Sequence, residues 1–309
     1  MIAPGVCDDG HAMRTSPSLA PPAPVGMAAA PIGALPGPWL HGDVAALGWL
    51  PPSAGHGGRD QLVLPIDLFL LTLQGDDADG EFDLRVSLLR AGPVPFRSQR
   101  RGMLTFALLS PAASMRLLRA PLHGLGERRV ALAPLCGRPA VDALRDALRG
   151  AADPLLRAQR FGRWIEARLH QRAGWSPAQA RVADAAAWLQ REDGAFAGAA
   201  LRQTLAVSTR QLERDFRTWL GVSPAAYARL VRFQRVARAV IDGAPLADAA
   251  SAHHYCDQPH LNRGCREFST LTPRAFAQLA RQPRRRAEQQ ALAGRVFLLD
   301  TPPDYKPVG

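Results

Sequence analysis

Leu201 and Leu205 lie four residues apart, as do Leu212 and Phe216, while Tyr227, Leu230, Val231, Ala237 and Ile241 form a longer stripe of helical period. Such spacing puts apolar side chains on one face of a helix. The first pair predicts a short helix over about 198–205, followed by a tight turn at Ala206-Val207. Ser208 with Gln211 is a capping-box pattern that starts the next helix at Thr209. Ser223-Pro224 starts a long helix through about Ile241, closed by Asp242-Gly243. Residues 245–253 predict another short helix, His254-Tyr255-Cys256 a turn, and Asp257 the cap of a further helix. Thr272-Pro273 opens the last one.

The first half is patterned differently. Residues 61–73 (QLVLPIDLFLLTL), 82–90 (FDLRVSLLR) and 102–109 (GMLTFALL) read as strands, with turn chemistry in the intervening DDADGE. Helical patterns follow over about 111–119, 139–149 and 154–172, and 294–299 is a candidate short strand. The expected architecture is an α+β N-terminal domain, then an all-α C-terminal domain of two helix-turn-helix units joined by a long helix. Residues 1–36, with seven prolines and no periodicity, are expected to be disordered. Residues 37–172 are the α+β domain, 173–179 a linker, 180–283 the helical domain, and 284–309 a loose tail.

The second half also repeats itself. STRQLERDFRTWLGVSPAAY (208–227) recurs 49 residues on as DQPHLNRGCREFSTLTPRAF (257–276). Leu212 matches Leu261, Arg214 matches Arg263, and Arg217 matches Arg266. Trp219 matches Phe268, and Ser223-Pro224 matches Thr272-Pro273. A fixed-period match marks two copies of one supersecondary unit. Short helix, tight turn and arginine-bearing helix make the helix-turn-helix plan, whose second helix enters the DNA major groove. The candidate DNA-contacting residues are Thr209, Arg210, Glu213, Arg214 and Arg217 in the first unit. In the second they are Gln258, His260, Asn262, Arg263 and Arg266. Arg217 and Arg266, further along their helices, suit phosphate contacts better than base readout. The bland alternative is a solvated face with ion pairs such as Arg210 with Glu213.

Charge sharpens this picture. The net charge is +11, and residues 181–286 hold 17 arginines against nine acidic residues. A polyanion is the matching partner. Lys306 is the only lysine, and the Ala/Arg/Gly/Pro bias suggests a GC-rich genome. Placement of the arginines on the repeats therefore carries more weight than their number. Four cysteines (Cys7, Cys136, Cys256, Cys265) show no disulfide-framework spacing, and no apolar run reaches membrane-spanning length. A cytoplasmic location without membrane contact is the expectation.

Residues 180–282 resemble the AraC-type transcription-regulator DNA-binding domain. The carriers are VSTRQLERDF, GVSPAAY, RLVRFQRVARAVIDG, LADAASAHHYCDQPHLNR and LTPRAF. Residues 37–172 resemble an uncharacterised N-terminal domain found on a subset of these regulators. The resemblance implies a sequence-specific DNA-binding regulator that reads two adjacent half-sites on double-stranded DNA. It also implies an N-terminal sensing or dimerisation module. RNA polymerase, a small-molecule effector and a second copy of the chain are further partners left open. The alternative is a regulator-like interaction protein with a degenerate second DNA-binding unit.

Departures from the family pattern shape the expectation. Ala206, His254 and Thr270 stand where the family usually has glycine, and Arg202 where it has a small residue. In the second unit the bulky apolar positions thin to Leu261 and Cys265, and Gly264 weakens the helix by about 1 kcal/mol. The first unit is therefore expected to dominate. His253, His254, Cys256, His260 and Cys265 include zinc-type ligands, but they span a turn and a helix whose other face must meet DNA, so no metal is expected. The Asp77-x-Asp79-Gly80 stretch reads as a hairpin turn rather than a calcium loop. No catalytic constellation, cofactor motif or enzyme activity is expected.

Overall fold

A computed structural model of the 309-residue chain describes residues 33–35, 42–50, 60–75, 82–90, 92–97, 102–125, 129–171, 174–195, 201, 203, 205–281 and 298–300. The N-terminal half holds strands β1 (Gly33–Ala34), β2 (Val44–Leu50), β3 (Asp60–Val63), β4 (Phe69–Gly75), β5 (Phe82–Ser87), β6 (Val94–Arg97), β7 (Met103–Leu109) and β8 (Arg129–Ala131). Its helices are α1 (Pro111–Leu118), α2 (Ala133–Cys136), α3 (Arg138–Leu148) and α4 (Pro154–His170). A six-stranded antiparallel sheet runs β1-β2-β7-β4-β5-β8. A three-stranded antiparallel sheet runs β6-β3-β9, where β9 is Leu298–Asp300. The short strand expected over 294–299 is met by β9 at Leu298 and Leu299, and its first four positions lie outside the described residues.

The single strand expected over 61–73 is two strands in two different sheets. Pro65 has no N–H for a ladder, and the buried Leu64–Leu68 segment bridges β3 and β4. β2 was not expected, because its sequence VAALGWL lacks both alternation and β-branched residues beyond Val44. It is nonetheless buried on both sides in the sheet, and α4 crosses it closely: a Cβ on Gly162 would lie 2.7 Å from Leu47 Cδ2. β1 corrects the expected boundary at residue 36, since Gly33 and Ala34 pair with Trp49 and Gly48. Residues 1–32, 282–297 and 301–309 lie outside the described residues.

Helices follow in the second half: α5 (Pro177–Arg191), α6 (Thr209–Leu220), α7 (Pro224–Ile241), α8 (Leu246–Ala252), α9 (Gln258–Ser269) and α10 (Pro273–Ala280). Each of α5, α6, α7, α9 and α10 starts on a Ser, Thr or Asp side chain that accepts a backbone N–H three residues on. The expected 173–179 linker already contains the first turn of α5. Of the helix expected over 198–205, Leu201, Gln203 and Leu205 are described, and all three are helical.

One apolar core runs from β2 through α4 and α5 to α10. Hydrogen bonds cross from the sheet region to the helices. The Tyr227 hydroxyl donates to the Asp67 carbonyl at 3.0 Å, and Gln234 Nε2 donates to the Pro65 carbonyl. The backbone N–H groups of Leu122 and His123 donate to the Thr218 carbonyl of α6 at 2.8 and 3.1 Å. The long helix α7 thus docks on the segment where Pro65 interrupts the strand.

Candidate nucleic-acid interface

In the first unit, Ser208 Oγ accepts the Gln211 N–H at 3.2 Å and starts α6. The expected capping box is only half made. The Gln211 side chain turns away and donates to Asp215 Oδ1 at 2.7 Å. The helix ends at Gly221, whose φ of 75° lets its N–H close on the Arg217 carbonyl. Leu212, Asp215, Phe216 and Leu220 point inward, and Phe216 meets Tyr227 of α7 at 6.2 Å between ring centroids. Thr209, Arg210, Arg214 and Arg217 are exposed, with Glu213 half-buried beside them. Positions 210, 213, 214 and 217 share one face.

That face is partly self-paired. Arg217 Nη2 meets Glu213 Oε2 at 3.2 Å, so Glu213 pairs along the helix with Arg217 rather than with Arg210. Arg214 donates to Gln211 Oε1. Arg210 has no ion-pair or hydrogen-bond partner among the described residues. An exposed i,i+4 pair is worth only about 0.5 kcal/mol, so Arg217 is readily released to another anion.

The second unit has the same exposure pattern in the same register. Leu261 and Cys265 are buried where Leu212 and Phe216 are, and Arg263 and Arg266 are exposed where Arg214 and Arg217 are. Gln258 is exposed; His260 and Asn262 are half-buried. Asp257 Oδ1 caps α9 by accepting the His260 N–H at 2.6 Å. Among the described residues Arg263 has no carboxylate partner.

The turns differ. Ala206 has φ 50° and sits two residues before its cap; His254 has φ 63° and sits three before its own. The extra residue in the second turn is Tyr255, which is buried. Thr270, which closes α9, has φ 62°. All three family-glycine positions thus keep the left-handed conformation with non-glycine residues.

Residues that sequence reasoning missed lie inside. Asp215 is 5% exposed, and Arg181 of α5 reaches it through two nitrogens at 2.7 and 3.0 Å. The only sequence signal was an acidic residue within the apolar face of α6. Gly264, read from sequence as a weak point, is buried because the Tyr255 ring lies against it. A Cβ there would come within 2.7 Å of the Tyr255 hydroxyl oxygen. The thinned apolar face is filled by an aromatic cluster: Phe233 stacks on Phe268 at 5.1 Å and meets Phe276 at 5.6 Å. Burial pushes the Cys265 thiol up to about 12, so it behaves as an apolar filler. Among the described residues no three His, Cys, Asp or Glu side chains cluster as a metal site would need. Nor is any described helix long and apolar enough to cross a membrane.

A family model described as a helix-turn-helix domain matches residues 201–279. No curated protein sequence matches the chain. Among solved structures the chain is similar to ToxT from Vibrio cholerae O395, at 9% identity and a TM-score of 0.37, covering 72% of this chain and 94% of that one. It is also similar to a lysine-to-alanine variant of apo ToxT from Vibrio cholerae strain SCE256, at 8% identity and a TM-score of 0.36, covering 75% and 96%. With two repeated units in place across the matched segment, residues 201–279 are a helix-turn-helix domain of the AraC type.

Proposed function

We propose that the chain reads two adjacent major-groove half-sites on one face of duplex DNA, with α6 in one groove and α9 in the next. The observation that carries this reading is the pair of arginine faces in equal register on α6 and α9, both of which pack on α7. That helix has 18 residues, or about 27 Å at ~1.5 Å per residue. Successive major-groove faces on one side of B-DNA lie about 34 Å apart. Thr209, Arg210, Glu213 and Arg214 are the proposed base-side contacts of the first unit, and Gln258, His260, Asn262 and Arg263 those of the second. Arg217 and Arg266 take phosphates.

The N-terminal region is proposed to sense an effector or to dimerise, acting in the cytoplasm where the operator and RNA polymerase are. The support is mechanical. Tyr227 and Gln234 of α7 hydrogen-bond to the Pro65–Asp67 segment, and Thr218 of α6 is held by Leu122 and His123. A ligand or second copy that shifts those segments would move the helices that carry the arginines.

Titration on specific and scrambled duplexes at several salt concentrations tests the division of roles. Arg214→Ala should cost about 1–3 kcal/mol on the specific site alone. Arg217→Ala should weaken binding to every duplex and flatten the salt slope by about one. Equal, sequence-independent losses for both variants would refute the division.

A further inference from the structure

A cleft of about 330 Å³ opens between α7 and α9, on the second unit. Arg232 comes to it from α7, Arg263 and His260 from α9, and Tyr255 from the turn. Four observations bear on what it holds. First, among the described residues neither Arg232 nor Arg263 has a carboxylate within ion-pair distance; Arg232 makes a long bond to the His254 carbonyl, at 3.4 Å, and stands 6.0 Å over the Tyr255 ring. Second, the one carboxylate in the lining, Glu267, is already taken by Arg229 at 3.1–3.3 Å. Third, Tyr255 is only 8% exposed, yet its hydroxyl is not sealed in the interior and makes no hydrogen bond among the described residues, so it is available to a group in the cleft. Fourth, Gly264 is what lets Tyr255 lie along α9 at the cleft, since a Cβ there would come within 2.7 Å of the hydroxyl oxygen.

We infer that this cleft is a binding site for a compact phosphate group, held by the Arg232 guanidinium and the Tyr255 hydroxyl, with Arg263 adding positive charge from α9. Arginine is the residue for such a group, since its planar fork donates two parallel hydrogen bonds to phosphate oxygens. The surroundings agree. Burial, then Arg232, then Arg263 push the His260 imidazole below its ordinary range, against a smaller opposing pull from Asp257. His260 is therefore neutral near pH 7 and gains a proton more readily once an anion is bound. Its ring lies 4.8 Å from that of Tyr255. The phosphate has two sources: the DNA backbone between the two half-sites, or a small phosphate-bearing ligand. The site itself does not depend on which half-sites are read.

The test uses the full-length chain and inorganic phosphate, by calorimetric titration in chloride buffer at constant ionic strength. One site should appear, and Arg232→Gln and Tyr255→Phe should each weaken it by about tenfold. Tyr255→Phe removes only the hydroxyl and keeps the ring on Gly264, so thermal melts without phosphate identify any loss that is merely structural. A parallel series titrates duplex at several salt concentrations, where Arg232→Gln should lower the slope by about one if the backbone supplies the phosphate. Saturating duplex should then also abolish the phosphate heat, whereas a free-ligand site stays open with duplex bound. Phosphate affinity equal in wild type and both variants overturns the inference. So does the absence of phosphate binding together with an unchanged salt slope. A chain that binds phosphate but no duplex would instead refute the proposed function and leave this site standing.

Discussion

The inward face of Thr209–Leu220 carries a carboxylate, and the same register position in Gln258–Ser269 carries a glycine. Asp215 and Gly264 are 49 residues apart, the offset of the repeat. Around Asp215 the first unit is held by polar bonds: two from Arg181 and one from Gln211. Around Gly264 the second is held by packing, with the Tyr255 ring against the bare backbone and Phe233, Phe268 and Phe276 beyond it. The outward faces stay alike while the inward solutions diverge. Two copies of one unit can thus keep the same presentation of arginines on unlike foundations. The polar solution also ties the first unit to α5, which packs on α1 of the sheet region. The second unit is tied to α7 by the half-exposed Arg229–Glu267 pair.

The largest expected effect breaks the polar foundation. Asp215→Ala strands Arg181 and the Gln211 amide, and should cost about 3 kcal/mol in urea unfolding, at the lower end for a buried pair because Arg181 is 27% exposed. Glu267→Ala, which breaks the corresponding surface pair, should cost less than about 1 kcal/mol. Similar costs for the two would mean that Asp215 is not the anchor of its unit. Next comes the apolar foundation. Gly264→Ala must displace the Tyr255 ring and should cost about 2 kcal/mol, although alanine is the better helix former. In a Tyr255→Leu background the same substitution should be neutral or stabilising. A penalty that persists there would show that the ring is not what excludes a side chain.

This contrast marks how far the sequence could be read. The caps at Ser208, Ser223, Asp257 and Thr272 were legible because capping is local chemistry, and every helix start they predicted stands within one residue. The exposed arginines were legible because the repeat states their register twice. The inward face was not. Whether an aspartate on an apolar face is a fault or an anchor depends on Arg181, 34 residues away, and Gly264 looks like a weakness until Tyr255 is in contact with it. The strand layout failed for a related reason. Residues 61–73 are apolar but for Gln61, Asp67 and Thr72, and nothing in that run says that Pro65 divides it between two sheets with α7 docked at the break. β2, rich in small residues, carries no period because both its faces are buried.

On DNA the comparison sharpens to the exposed faces alone. Ala substitution of Arg210 and Arg214 together should cost about 1 kcal/mol more specific affinity than substitution of Asn262 and Arg263 together, since the first pair removes two guanidiniums and the second removes one. The measurement is the ratio of specific to scrambled duplex binding at one salt concentration. A larger loss from the second pair would make the second unit the dominant reader.

The smallest effect concerns how the two helices end. Gly221 and Thr270 occupy the same repeat position, and both are left-handed, at φ 75° and 62°. Glycine adopts that conformation without strain, whereas a β-branched residue does so at a cost of about 1–2 kcal/mol. Thr270 recovers part of this through a 2.6 Å hydrogen bond from its hydroxyl to the Ser269 carbonyl. Thr270→Gly should therefore stabilise the chain by somewhat less than 1 kcal/mol, after the added freedom of the unfolded glycine is subtracted. Gly221→Thr should destabilise by about 1 kcal/mol, with no hydroxyl bond assured in return. Both are read as shifts in the urea midpoint at unchanged slope. Opposite signs for the two variants would confirm that the units differ in their ends only by local strain. Loss of stability in both would mean that Thr270 is held by its contacts and not merely tolerated, and that the second unit is closed by side-chain bonding where the first is closed by backbone freedom.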